Sequence, residues 1–266
     1  MKLTIIGSGN MGGAIVRGLV QGSLFRPEEI TVIDVHEAPL KALQAFNPAI
    51  QTAVSDYASV DTADIILLAV KPWLVADVLI DIKFRMNYEK QILVSIAAGV
   101  SIDDINAALL KSQLTPQLPT VFRLIPNTAI AVRQSITLIA TKNATPEQTA
   151  LLVQIFDELG STMVLDENKM AAGTAMTSCG IAYFFRYVRA AMLAGVELGL
   201  YPSEAQTMAT QTMLGAAMLL DANGQHPETE IDKVTTPGGI TIRGLNELEA
   251  NGFTNAIIKG IKAGKF

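Results

Sequence analysis

From the N-terminus to about residue 165, short apolar runs alternate with stretches whose apolar residues recur every three or four positions. That pattern predicts strands alternating with helices. Leu3, Ile5 and Ile6 form the first run, and Ala14, Ile15, Val16, Leu19 and Val20 the first helical face. A second strand is expected over Ile30 to Asp34, a helix over Leu40 to Phe46 and a short strand over Ile50 to Val54. Asp64 to Val70 is apolar nearly throughout, as strands are in parallel sheets covered on both faces. Lys71-Pro72 closes it, and Pro72 suits the first turn of a helix through Leu74, Val75, Val78, Leu79 and Ile82. Further strands are expected over Gln91 to Ala97, Val121 to Ile125, Ile136 to Ala140 and Thr162 to Leu165. Helix starts are expected at Ser101, followed by Asp103 and Asp104, and at Thr145, where Pro146 and Gln148 complete a capping box.

Beyond Glu167 the strand pattern stops. One long helical run is expected from Asn168 to Leu200, broken at Tyr201-Pro202-Ser203, and a second from Glu204 to about Asn223. The chain thus divides into an α/β, Rossmann-like domain over 1–166 and an all-α domain over 167–266. Met208, Met213 and Met218 recur with Leu214, Leu219 and Leu220, a stripe more typical of core than of a cofactor site. Hydrophobic residues make up 50% of the chain and charged residues 17%, so a large apolar surface needs cover. The helical half is too uniformly apolar to hide within itself, and burial against a second copy is the expected solution. Met170 to Phe185 and Ala205 to Leu220 fall short of the roughly 18 to 20 apolar residues of a membrane span, and they read as buried helices.

Charge narrows the partners. A net charge of −5 without Lys/Arg clusters argues against a nucleic-acid or anionic-membrane surface and leaves small molecules and other subunits. The single cysteine, Cys179, has no partner for an internal disulfide, and the chain runs straight into its first strand, so a cytoplasmic protein is expected.

Two segments carry candidate chemistry. Gly7-Ser8-Gly9-Asn10-Met11-Gly12 lies between the first strand and the first helix. In such a turn the first glycine permits the tight bend, the second lets backbone approach a pyrophosphate, and the third lets helix and strand pack closely. Asp34 ends the second strand about 20 residues further on, placed to accept the hydroxyls of an adenosine ribose. Late in the chain, Val234-Thr235-Thr236-Pro237-Gly238-Gly239-Ile240-Thr241 sets consecutive glycines among three hydroxyls at an expected helix start, a turn able to hold a small anion such as a carboxylate. A plain interhelical turn with threonine caps reads about equally well from these residues alone. His36 and His226 are the two histidines and read as solvated loop residues. No Cys/His cluster or H-E-x-x-H points to a metal, and no Gly-x-Ser-x-Gly to a nucleophilic serine.

Together, Gly7 to Gly12, Ala69-Val70-Lys71-Pro72, Ala97-Ala98-Gly99, Ile125-Pro126-Asn127-Thr128 and Thr236-Pro237-Gly238-Gly239-Ile240-Thr241 resemble pyrroline-5-carboxylate reductase, the last enzyme of proline synthesis. The resemblance covers essentially the whole chain in order. It implies a Rossmann domain followed by a helical domain that interlocks with its twin in a homodimer, often assembled further into a decamer. It also implies hydride transfer from NADPH or NADH to a cyclic C=N bond, giving L-proline. By similarity, Gly238 and Gly239 would hold the substrate carboxylate with Thr236 nearby, Thr241 would set its hydroxyl by the ring nitrogen, and Cys179 would lie near the substrate. Gly7, Ser8, Gly9, Asn10, Met11 and Gly12 would hold the pyrophosphate. Val70, Lys71, Pro72, Ala97, Ala98 and Gly99 would line the nicotinamide end.

Two features set the chain apart from the pattern it resembles. Where the family usually reads Ser-Gly-Ser-Gly-Pro-Ala-Tyr, this chain has Thr177-Ser178-Cys179-Gly180-Ile181-Ala182-Tyr183, which restores an N–H donor, adds bulk at Ile181 and weakens a hydrogen-bonding position at Cys179. Asp34 favours a free 2′-hydroxyl and so leans towards NADH over NADPH. The alternatives are a reductase of another cyclic imine and a non-catalytic dinucleotide-binding homologue. A β-hydroxyacid dehydrogenase would carry a lysine within the helical domain, and the only lysine between Thr145 and Asp221 is Lys169, at the domain's entry.

Overall fold

A computed structural model describes residues 1–112, 114 and 117–265. It divides into two compact units, Met1–Ser178 and the residues from Cys179 onward. The last residue of the expected helical domain, 266, lies outside the described residues.

The first unit begins β1 (Leu3–Ile6), α1 (Asn10–Val20), β2 (Ile30–Asp34), α2 (Glu37–Phe46), β3 (Gln51–Val54), β4 (Ile65–Leu68), α3 (Val75–Ile82), β5 (Ile92–Ser95) and α4 (Ile102–Leu109). It continues with β6 (Thr120–Ile125), β7 (Ser135–Thr141), α5 (Pro146–Asp157), β8 (Gly160–Val164) and α6 (Met170–Thr177). The eight strands form one sheet in the order β3-β2-β1-β4-β5-β6-β7-β8. Consecutive strand residues point to opposite faces: Ile5, Val32, Leu67 and Val94 join the core beneath α1, α2 and α5, while Ile6, Ile33, Leu68 and Leu93 join the core beneath α3 and α4. Ile15 and Leu19 of α1 are fully buried in the first of these, each worth about 2 kcal/mol.

All neighbours are parallel except β6 and β7, which run antiparallel, with Leu124 opposite Ile139. The cause is the connection. Pro126 to Gln134 contains only a 3-10 turn (Thr128–Val132) closed by Arg133 at φ +56°, whereas a parallel crossover needs about a dozen residues or more.

The second unit is helical: α7 (Gly180–Glu197), α8 (Pro202–Asn223), α9 (Pro227–Lys233), α10 (Ile240–Ala250) and α11 (Phe253–Ala263). The single helix expected from Asn168 to Leu200 is in fact two, α6 and α7. At the break the Asn127 side chain donates to the Thr177 carbonyl at 3.2 Å, the acceptor that the Ile181 N–H would use in a continuous helix. The Ala182 N–H bonds instead to Cys179 O, three residues back, which tightens the turn. The Thr174 and Thr177 hydroxyls also bond back to the carbonyls of Met170 and Gly173, a pattern that bends helices. Within the single chain the first apolar stretch is buried chiefly along α6, at Met170, Thr174 and Ala175, whereas α8 buries only Ala205 and Phe185 on α7 is 69% exposed. Among the described residues no helix is long and apolar enough to cross a membrane.

Candidate active site

The order β3-β2-β1-β4-β5 brings the carboxyl ends of β2, β1, β4 and β5 side by side, and the chain changes direction between β1 and β4. Open α/β sheets bind ligands in the crevice at such a switch point. Gly7, Ala69 and Ile96 each continue the ladder one residue past their strands, donating to Ile33 O, Ile6 O and Leu68 O at 2.8, 2.8 and 3.0 Å. The three loops expected at the cofactor therefore start level with one another.

Each glycine of the first turn has a distinct role. Gly7 sits at φ +104°, and a Cβ there would drive into the Ala69–Val70 peptide. At Gly12 a Cβ would overlap the Gly7 carbonyl and press on Ala69. Nothing lies within 4 Å of a Cβ built at Gly9, so that edge of the turn faces open space. Helix α1 starts there with no capping side chain and no acid in its first turn, leaving the amides of Asn10, Met11 and Gly12 to meet an anion. Ser8 serves the turn itself, because its N–H and its hydroxyl both donate to Asp34 Oδ2 at 2.7 Å. A dinucleotide pyrophosphate fits this cradle.

Asp34 is half-buried, which by itself would push its carboxyl up. The hydrogen bonds from His36 N–H and from Ser8 outweigh that and hold it below the ordinary aspartate value. It stays anionic and ties the end of β2 to the glycine turn. His36 contributes only its amide to this bond, and His226 accepts from Glu228 N–H at the start of α9, so both histidines act in local turns.

Val70, Lys71 and Pro72 follow β4, with Lys71 preceding the 3-10 turn Pro72–Leu74. Ala97, Ala98 and Gly99 follow β5, and Gly99 turns the chain at φ +80°. A groove of about 260 Å³ runs between Pro72–Trp73 on one side and Gly99–Val100 on the other. The next residue, Ser101, caps α4 reciprocally with Asp104.

In the second unit, Gly238 (φ +71°) and Gly239 lead into α10, which again has no side-chain cap and no acid in its first turn. The Gly239 amide donates to Thr236 O at 2.9 Å and closes the turn, while a Cβ at Gly239 would strike the Thr236 hydroxyl. The amides left facing outward are therefore those of Ile240 and Thr241 at the helix start, and Gly238 supplies the bend that exposes them. Arg243 donates to Gly238 O at 3.2 Å, so the same loop carries a cation that no motif announced. The Cys179 sulfur lies beside Gly264, near where the Tyr183 hydroxyl donates to Gly260 O of α11.

Residues 167–265 match a family model described as pyrroline-5-carboxylate reductase dimerisation, and residues 2–99 match one described as NADP oxidoreductase coenzyme F420-dependent. The chain is 38% identical to pyrroline-5-carboxylate reductase 1 of Dictyostelium discoideum over 97% of its own length, and spans 48% of that longer protein. It is 36% identical to the pyrroline-5-carboxylate reductase of Methanosarcina acetivorans, covering 99% of this chain and 97% of the relative. Its fold superposes on the pyrroline carboxylate reductase of Plasmodium falciparum, solved with NADP bound, at a TM-score of 0.85 and 25% identity, over 99% of this chain and 95% of that one.

Proposed function

The chain belongs to the pyrroline-5-carboxylate reductase family, and we propose how its residues share the reduction of a cyclic imine to L-proline by NAD(P)H, the activity that membership assigns. The reduced nicotinamide supplies a hydride to the carbon of the C=N bond. The glycine turn from Gly7 to Gly12 holds the pyrophosphate, and Asp34 receives the ribose hydroxyls while bracing the turn through Ser8. Because the Asp34 carboxylate disfavours a 2′-phosphate, NADH is the preferred form. Val70 to Pro72 and Ala97 to Gly99 line the nicotinamide end.

The substrate carboxylate sits on the amides that open α10, beyond the Gly238-Gly239 bend and beside Thr236 and Arg243. The Thr241 hydroxyl then meets the ring nitrogen and keeps it oriented as it becomes a secondary amine. An imine nitrogen is basic enough to carry its own proton near neutral pH, so the protein needs orientation more than acid catalysis. Cys179 and Ile181 border the substrate side in place of the family's usual serine and proline.

The working boundary lies between Asp166 and Glu167, where the dimerisation match begins, twelve residues before the compact units part after Ser178. The protein is an oligomer acting on a small molecule: a homodimer through α7 and α8, assembled further into a decamer. A lone cysteine suits the reducing cytoplasm.

The observation that carries this reading is the uncapped, acid-free start of α10 behind Thr236–Gly239. Initial rates of NADH and NADPH oxidation with pyrroline-5-carboxylate test it on the wild type and on Thr241→Ala. Turnover that falls about 100-fold in the variant, with NADH ahead, is expected. Cofactor binding without any turnover in the wild type would overturn the reductase reading.

A further inference from the structure

Glu167, the first residue after Asp166 beyond the sheet, reaches back across the first unit to a helix start distant in sequence. Its Oε1 accepts the Ile102 N–H at 2.7 Å and an Arg123 guanidinium N–H at 3.1 Å, and its Oε2 lies 3.5 Å from the Lys142 ammonium. Lys142 also pairs with Asp103 Oδ1 at 2.6 Å. The Arg123 and Glu167 side chains are only 12% and 16% exposed, so this is an anchored pair and not a solvated one. Arg123 Nε is buried without a partner, and Glu167 is the carboxylate that pairs with the guanidinium through its other nitrogen.

The group that Glu167 holds is what gives the cluster a function. Ile102 opens α4, and Ser101 and Asp104 already satisfy each other there, so Glu167 supplies the external acceptor of its first backbone amide, beside the Lys142–Asp103 ion pair. Directly before it runs Ala97-Ala98-Gly99-Val100, whose Gly99 at φ +80° leaves the loop few internal constraints. From the geometry we infer that Glu167 is a positioning residue for the nicotinamide end of the cofactor, fixing the Ala97–Val100 loop through the Ile102 amide; this rests on the proposed placement of that loop at the nicotinamide. The adenosine end has a separate brace, Asp34 on Ser8, which shares no residue with the Glu167 cluster. The two ends are therefore independently adjustable.

The test measures dissociation constants for NADH and for ADP-ribose, which lacks the nicotinamide, on the full chain with Tm recorded alongside. Glu167→Ala is expected to weaken NADH about tenfold and leave ADP-ribose within about twofold, the size of one lost charge-assisted hydrogen bond. Glu167→Gln keeps an acceptor for Ile102 and is expected to restore NADH to within about threefold of wild type even if Tm falls. If the alanine variant does not fold, Glu167→Asp retains the charge beside Arg123 but withdraws it from Ile102, and the same selective loss is expected. Equal weakening of both ligands, no weakening of either, or a glutamine variant as weak as alanine overturns the assignment. Wild-type protein that binds ADP-ribose but not NADH overturns the cofactor reading as well.

Discussion

Helix α1 buries most of its eleven residues within its own chain, whereas α8, with 22, buries only Ala205. Both carry apolar side chains at helical spacing. The first lies on a sheet that is covered on both faces, with a hydrogen-bonding partner for each strand edge inside it. The second leaves Met218 62% exposed and Leu214 52% exposed. Large apolar side chains left exposed in this way mark an interaction face, and residues 167–265, which include α8, match a dimerisation family. One unit buries its apolar residues as a single chain, and the other leaves many of them exposed.

The largest effect is expected from the assembly side. Leu214→Asp with Met218→Asp would put two charges into the surface proposed to be covered by a second copy, at about 3 kcal/mol or more. Light scattering behind size exclusion should then report monomer, with turnover lost and the far-ultraviolet spectrum of the sheet unit kept. A double variant that stays oligomeric breaks the comparison, because it moves the interface off α8.

Within the sheet unit the effects are local. Gly12→Val would drive side-chain atoms into the Gly7 carbonyl, so NADH binding should fall more than 100-fold together with a lower Tm, since overpacking costs about 1–3 kcal/mol. Gly9→Ala meets nothing within 4 Å and should leave Tm unchanged while still weakening NADH. Calorimetry and fluorescence titration together separate the two, and a Tm loss at Gly9 equal to that at Gly12 would contradict the roles assigned to them.

A smaller effect is expected at Asp34. Asp34→Asn should cost about 2 kcal/mol, because the carboxylate accepts from Ser8 twice and from His36. Its folded-state pKa lies below the unfolded value, so its stabilisation is fully present above about pH 4 and is lost as pH falls through the folded value. Urea titrations between neutral pH and pH 3 should show wild type and variant converging at the acid end. Curves that stay parallel would remove Asp34 as the brace of the turn.

Much of this was legible along the chain because it is local. The second strand falls on Ile30–Asp34 as its pattern predicts, and Ser101 and Thr145 cap their helices with Asp104 and Gln148. The glycine fingerprint could be read for the same reason, since its spacing and its place between a strand and a helix are set within a few residues, whereas the Ala69–Val70 peptide packed against Gly7 is distant in sequence. The break after Thr177 could not be read, because the residue that takes its carbonyl, Asn127, is distant in sequence and looks like an ordinary turn residue. Arg243 and Glu167 were equally silent: one meets a backbone carbonyl, the other a backbone amide and two cations, and no periodicity marks such partners.

The sequence by itself determined the strand-helix alternation, the cofactor turn, the glycine-rich Thr236–Thr241 segment and the surplus of apolar helix. Only the tertiary structure decided that β7 runs against β6, that Asp34 braces the turn, and that Glu167 holds the start of α4. Backbone preference and hydrophobic period act over one or two turns of chain and are written in order. Hydrogen bonds between residues far apart exist only after the sheet has brought them together, so the chain carries their donors and acceptors but not their pairing.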